Sequence, residues 1–566
     1  MVNLKANPFF LDDEGIKWVK ETISSMTLEE KIGQLFFPVG FSKDETVLKK
    51  MLDKNICGIM YRPAPAAEVQ AAHRFLQANA KIPLLIAANL EAGGIGTAKD
   101  GTNFGKALQV AATDDPEQAY RLGYISCTEG AAVGCNYSFA PVVDIDANWR
   151  NPICNLRTFG DNADQVLAMA SGYLKGADEA GLAVSIKHFP GDGVDERDHH
   201  LHITYNTYSA AKWMATFGKI YKGLIDQGAK TVMVGHIAQA PCAQKINPLI
   251  SQADAHMPAT LSPELIQGLL RKELGFNGMI ITDATPMLGF TTAMPRSQAV
   301  PRSIAIGCDC FLFNKDLFED YDFMMEGYKS GVLSDERLEE ALTRILGLKA
   351  SLGLHIKKKN NTLVPGPEAL STLKNEKFVG WAKECADKSV TLVKDVQELL
   401  PITPQKYKRV VLYASESGSN FGDVDLIEDQ IKAELEKRGF EYCKAPEGGY
   451  ITDKSITVAS FKENYDLALY AFNFSTASNN TVLRLSWKGG FGGSNSPWFT
   501  QEIPCLAISF ANPYHLIDVP QFKTFVNAYT LNEYTIEAVF DKIIGKSEFK
   551  GKSPVDPFCD REDTKF

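Results

Sequence analysis

A chain of 566 residues exceeds what one hydrophobic core organises, and 45% hydrophobic with 23% charged residues is the composition of a soluble enzyme. A net charge of -10 with no clustered Lys and Arg excludes nucleic acid and anionic membrane surfaces as partners. The eleven cysteines are odd in number, scattered and without a CxxC, which argues against a disulfide framework or a zinc site and for small buried apolar residues.

In chain order, "MVNLKANPFFLDDEGIKW" lacks the apolar core of a secretory leader, and no later run is long enough to span a bilayer, so a cytoplasmic protein is expected. Eight apolar, β-branched runs then read as strands: "IGQLFFPVG" from 32, "CGIMYRPA" from 57, "PLLIAANLE" from 83, "NYSFAPVVDI" from 136, "LAVSIKHFPG" from 182, "KTVMVGHIA" from 230, "GMIITDATP" from 278 and "CDCFLFNK" from 308. Helical periods lie between them, such as "AAEVQAAHRFLQANAK" from 66 and "SPELIQGLLRKELGF" from 262. Strands apolar on both faces and alternating with helices imply a parallel sheet, and this number of units suits a closed (β/α)8 TIM-type barrel over residues 1–355, with an open doubly wound sheet as the alternative.

"HIKKKNNTLVPGPEAL" then reads as a linker, placed at 356–375. A smaller αβ sandwich domain is expected over 376–566, with a helix near 376–389, strands "SVTLVKD", "KRVVLYAS", "YDLALYAF" and "PCLAISFAN", and a closing helix "NEYTIEAVFDKIIG". The glycine-rich "SWKGGFGGSNSPWF" lacks the ending and the strand-to-helix setting of a phosphate-binding loop and reads as a surface loop.

Polar residues gather where the strands end: Asn89 and Glu91, Asp144, Lys187 and His188, His236, and Asp283. In a barrel these ends converge on the face that carries chemistry. The loop "KHFPGDGVDERDHH" (187–200) is loaded with proton donors and acceptors; Asp198, two residues from His200, can orient its imidazole as a general acid and base. Asp283 ends a strongly apolar strand, where a carboxylate serves either a partner or substrate, or a helix cap. No HExxH or facial-triad spacing is present, so no metal is expected.

These residues carry a resemblance to glycoside hydrolase family 3, in its two-domain β-N-acetylglucosaminidase branch, whose signature has the form KHFPGHGxxxxDxH. Here it stands as Lys187-His188-Phe189-Pro190-Gly191-Asp192-Gly193, with Asp198 and His200 closing it. "MTLEEKIGQLF", "NLRTFGDN", "VMVGHI" and "PATLSPELIQGLLRKELGFNGMIITDATPM" are similar to further family motifs, and "FANPYHLIDVP" and "FKGKSPV" to the second domain of the two-domain members. The resemblance implies Asp283 as nucleophile, His200 as acid/base held by Asp198, and Lys187, His188, Arg157 and His236 lining the sugar site. It implies no cofactor, and a retaining exo-β-N-acetylglucosaminidase that removes terminal GlcNAc from peptidoglycan fragments or imported oligosaccharides through a glycosyl-aspartate.

Three positions depart from the family pattern. Asp192 stands where a histidine is usual, Asn89 stands for an aspartate in the element spanning Asn89 to Gly94, and the arginine that follows that element is missing. Asn89 or Glu91 is expected to contact the ring on that side. Phosphate is admissible as acceptor in place of water, because a neutral imidazole repels anions less than a carboxylate does. The alternatives are thus a β-N-acetylglucosaminide phosphorylase, a β-glucosidase, and a non-catalytic sugar-binding protein.

Overall fold

Each of the eight apolar runs contains a strand. The computed structural model describes residues 2–416, 427–487 and 493–566; residues 488–492 of the glycine-rich stretch lie outside them. Internal contacts divide the chain into two units, 1–104 with 116–379, and 105–115 with 380–566.

In the first unit, a parallel sheet of seven strands runs Val39–Gly40, Gly58–Tyr61, Leu85–Ala88, Tyr137–Ser138, Ala183–Phe189, Thr231–Val234 and Met279–Thr282 among the described residues. Phe311–Leu312 adds an eighth, because it pairs in parallel with Phe36–Phe37, the short strand just before Val39–Gly40, while its neighbour Cys310 bridges Ile281. The sheet therefore closes on itself, in the expected barrel order. The strands read apolar throughout because both faces are buried: Ile86, Ile186, Val232, Val234, Ile280 and Ile281 have no exposed surface. Helices such as Ala66–Asn79, Ala163–Glu179 and Asp335–Ser351 return the chain between or after strands. The run from 262 is helical over Glu264–Glu273, wound in π turns and ended before Gly275, whose φ of 73° suits glycine.

Residues 356–375 fall within the first unit and are partly helical, at Leu354–Lys359 and Pro367–Thr372. Gln70 and Arg74, on helix Ala66–Asn79, donate to the carbonyls of Gly366 and Pro365 and tie this stretch down. The segment 105–115, with its helix Ala107–Ala112, groups with the second unit although it follows the third strand of the barrel.

The second unit holds a six-stranded sheet in the order Thr391–Asp395, Thr524–Asn527, Cys505–Ser509, Leu467–Asn473, Arg409–Glu416, Glu441–Lys444. Its first pair is antiparallel and the others are parallel. Tyr413 and Tyr470 stack at 4.7 Å within a core shared with Phe499, Phe522 and Phe525. Among the described residues no helix is long and apolar enough to cross a membrane. Ten of the eleven cysteines are buried and Cys443 is half-buried, as expected of small apolar side chains.

Candidate active site

Two carboxylates organise the C-terminal ends of the third to fifth barrel strands. Asp144, fully buried, accepts from the backbone N–H groups of His188 and Asp192 through Oδ1, and its Oδ2 lies 2.7 Å from His188 Nδ1. This bond fixes the imidazole so that Nε2 is the free ring nitrogen. Glu91, beyond strand Leu85–Ala88, accepts a bidentate pair from Arg157 at 2.9 Å and lies 2.7 Å from Lys187 Nζ. Burial alone would raise the Glu91 carboxyl, but the two cations hold it well below the usual carboxylate range. Burial lowers the Lys187 ammonium against the pull of Glu91.

The loop after strand Ala183–Phe189 folds over this floor. Gly193 has a φ of 99°, and a Cβ there would lie 1.8 Å from the Ile145 carbonyl, so only glycine fits. Asp198, buried, accepts from His200 twice through Oδ1: from the backbone N–H at 2.7 Å and from Nδ1 at 2.6 Å. Nε2 of His200 is the ring nitrogen that Asp198 does not engage, on a side chain 23% exposed and therefore within reach of a ligand. Burial lowers the His200 pKa below 6.5 in spite of Asp198, so the imidazole rests neutral at neutral pH.

Asp283 follows strand Met279–Thr282. Its Oδ1 accepts from the Ala284 N–H at 2.7 Å, and its Oδ2 lies 3.6 Å from His199 Nε2. Burial would raise its pKa, but the histidines around it, His188 and His199 foremost, outweigh burial and hold it far below the usual carboxylate range. The loop is locked to the segment after Asp283: Leu288 N–H donates to the His200 carbonyl at 2.8 Å. Gly289 permits this approach, since a Cβ there would lie 2.6 Å from the His199 carbonyl and 2.7 Å from that of His202.

The structure thus gathers Asp283, His188 and the Asp198–His200 pair, and links Lys187 and Arg157 through Glu91. His236 is wholly buried beside Asp283 with both ring nitrogens engaged, Nδ1 at 3.0 Å from Thr260 Oγ1 and Nε2 at 3.0 Å from the Ala284 carbonyl, leaving neither for a sugar hydroxyl. Asn89 is exposed just past its strand. Sequence reasoning gave no role to Asp144 as the partner of His188, nor to His199. Asp144 was visible as the polar end of an apolar run; His199, between Asp198 and His200, gave no signal of its own. Among the described residues one trio, His188, His199 and Asp283, offers ligand atoms within 4.8 Å of one another, as a metal ion requires. The arrangement as it stands pairs an ionised carboxylate with a carboxylate-held imidazole, the parts of a double displacement.

Residues 27–348 match the model of the glycosyl hydrolase family 3 N-terminal domain. Over 569 aligned positions, 100% of each chain, the protein is 42% identical to a β-N-acetylglucosaminidase/β-glucosidase of Cellulomonas fimi. A β-hexosaminidase of Idiomarina loihiensis is 31% identical over 45% of this chain and 74% of its own. Among solved structures, a β-glucoside phosphorylase bound to 2FGlc superposes with a TM-score of 0.93 at 43% identity, covering 98% of this chain and 99% of that one. The barrel, the clustered strand-end residues and these full-length likenesses agree: the chain belongs to glycoside hydrolase family 3 and is a glycoside hydrolase.

Proposed function

We propose that the enzyme is a retaining exo-acting β-N-acetylglucosaminidase that works through a glycosyl-aspartate at Asp283. The observation that carries this reading is the ionised, buried Asp283 locked beside a loop whose His200 is held by Asp198. In the first step Asp283 attacks the anomeric carbon, the bond to the aglycone oxygen breaks, and protonated His200 delivers its Nε2 proton to that oxygen. In the second, neutral His200 takes a proton from water, which attacks the same carbon from the opposite face and releases the β-sugar. Lys187, His188 and Arg157 contact the sugar hydroxyls in this reading, and His236 supports Asp283 from behind.

A second reading places phosphate where water stands. It is supported by the phosphorylase likeness at 43% identity and by the neutral resting state of His200, which leaves no carboxylate charge to repel an anion at the acceptor side. The sugar is tested together with the acceptor, because the Cellulomonas fimi relative is named for both β-GlcNAc and β-glucose cleavage. The experiment is turnover of p-nitrophenyl β-GlcNAc and p-nitrophenyl β-glucoside with and without phosphate, with product identification, for the wild type and Asp283→Ala. GlcNAc release that phosphate leaves unchanged supports the hydrolase. Acceleration by phosphate with a sugar 1-phosphate as product moves the reading to the phosphorylase, and preference for glucose moves it to a β-glucoside. An active Asp283→Ala enzyme overturns both readings.

A further inference from the structure

His199 is the buried ionisable group beside Asp283 that the double displacement leaves without a task. Its side chain has no exposed surface. Nδ1 lies 3.0 Å from Asp192 Oδ2 and Nε2 lies 3.6 Å from Asp283 Oδ2. None of these four atoms, nor any protein group beside them, satisfies the other in a hydrogen bond of normal geometry. Asp192 is otherwise anchored through Oδ1, which accepts from Asn151 Nδ2 at 2.9 Å and from the Gly193 N–H at 2.7 Å, so its Oδ2 is turned toward the ring.

A neutral imidazole between two carboxylates can donate to one of them only and turns a lone pair on the other. Two buried carboxylates with no cation between them are also unfavourable by several kcal/mol per charge, as an order of magnitude. An imidazolium removes both difficulties, since it turns a positive N–H edge toward each carboxylate and a lone pair toward neither. We infer that His199 is a positioning residue: as an imidazolium held by Asp192, it is the fixed counter-charge that keeps the Asp283 carboxylate ionised and aimed before attack. This rests on Asp283 being the nucleophile. Burial would lower the His199 pKa, but Asp192, Asp283 and Asp198 raise it to about 9, so the geometry and the charge state agree.

The consequence for the reaction is a matched pair of charges. Asp192 alone would place a negative charge against the nucleophile and discourage its ionisation; His199 cancels it. The groups facing Asp283 are then His199, His188 and Lys187, the neutral His236 from the neighbouring strand end, and His200.

The test is the pH profile of kcat/KM for His199→Gln, Asp192→Asn and the double variant, on an aryl β-glycoside that the wild type cleaves, with Asp283→Ala alongside and circular dichroism to check folding. In His199→Gln the acidic limb moves upward by at least about one pH unit, and kcat falls by about tenfold or more with little change in KM, because the lost interaction is with the reacting carboxylate. The double variant is more active than His199→Gln, since removing Asp192 removes the charge left uncompensated. Folded His199→Gln enzyme with an unmoved acidic limb, or a double variant no better than the single one, overturns the inference. If Asp283→Ala keeps its activity, the failure lies with the nucleophile assignment instead. Should His199→Gln not fold, Asp192→Asn alone decides: a lowered alkaline limit for the ionised cluster is expected, and an unchanged profile contradicts it.

Discussion

The proposed use of a histidine as proton donor makes pH the sharpest probe of single residues. In the proposed first step the active form of His200 is its conjugate acid, so rate on a poor leaving group should fall as pH rises through the His200 pKa. Burial holds that pKa below 6.5, so the falling limb of kcat/KM is expected below 6.5, and an activated aryl leaving group, which needs little protonation, should lose much less. A limb that stays flat to alkaline pH on the poor leaving group would remove His200 from the acid role. At this scale much was legible in the sequence. Asp283, Asp198 and His200 could be picked out because each is a polar residue at a strand end or in a charged loop. The pairing of Glu91 with both Arg157 and Lys187 could not, because these residues lie far apart in the chain and come together only where the third, fourth and fifth strands lie side by side.

Among elements, the two ends of the barrel divide their work. Asp309, which enters the eighth strand from its N-terminal side, is fully buried and lies 2.6 Å from Arg271 Nη2, 2.5 Å from Arg337 Nη2 and 3.4 Å from Arg344 Nη1. These arginines come from helices Glu264–Glu273 and Asp335–Ser351, so one carboxylate ties two helices to the strand entrance. Asp309→Asn would leave three buried guanidinium groups short of their anion, and a loss of about 3–5 kcal/mol in denaturant stability is expected with the site residues untouched. A loss under about 1 kcal/mol, the usual yield of a surface pair, would show the cluster to be dispensable. The strands themselves were legible from apolar runs buried on both faces. Strand Glu441–Lys444 was not, because this edge strand is largely exposed and charged, and neither was Thr524–Asn527, too short to show a period.

For the molecule as a whole, buried histidines of opposite kinds bound the stable pH range. Burial holds His73 and His236 at about 4 and His515 at about 3. The unfolded chain takes up these protons near 6.5 while the folded one refuses them, so protons favour unfolding, and stability present above 6.5 is lost as pH falls toward 4. Each group can contribute up to about 3 kcal/mol over that window. His199 has the opposite sign: its folded pKa of about 9 lies above the ordinary 6.5, so its contribution is complete below 6.5 and is lost as pH rises through about 9. The melting temperature should therefore fall on both sides, with the acid slope shallower in His515→Gln and the alkaline slope shallower in His199→Gln. A melting temperature flat between 4 and 6.5 would mean that these histidines are accessible to protons in the folded state. The sequence suggested two αβ regions, but not that residues 105–115 group with the later one, since that short helix carries no local mark of its partners.

The proposed covalent role of Asp283 is tested most directly in His200→Ala. An aryl glycoside with a good leaving group needs no proton to glycosylate the enzyme, whereas the second step lacks its base, so the glycosyl-enzyme accumulates. Mass spectrometry of the quenched, digested protein is expected to find the sugar on the peptide that carries Asp283. A sugar on another carboxylate, or no adduct while product is still released, would contradict double displacement at Asp283.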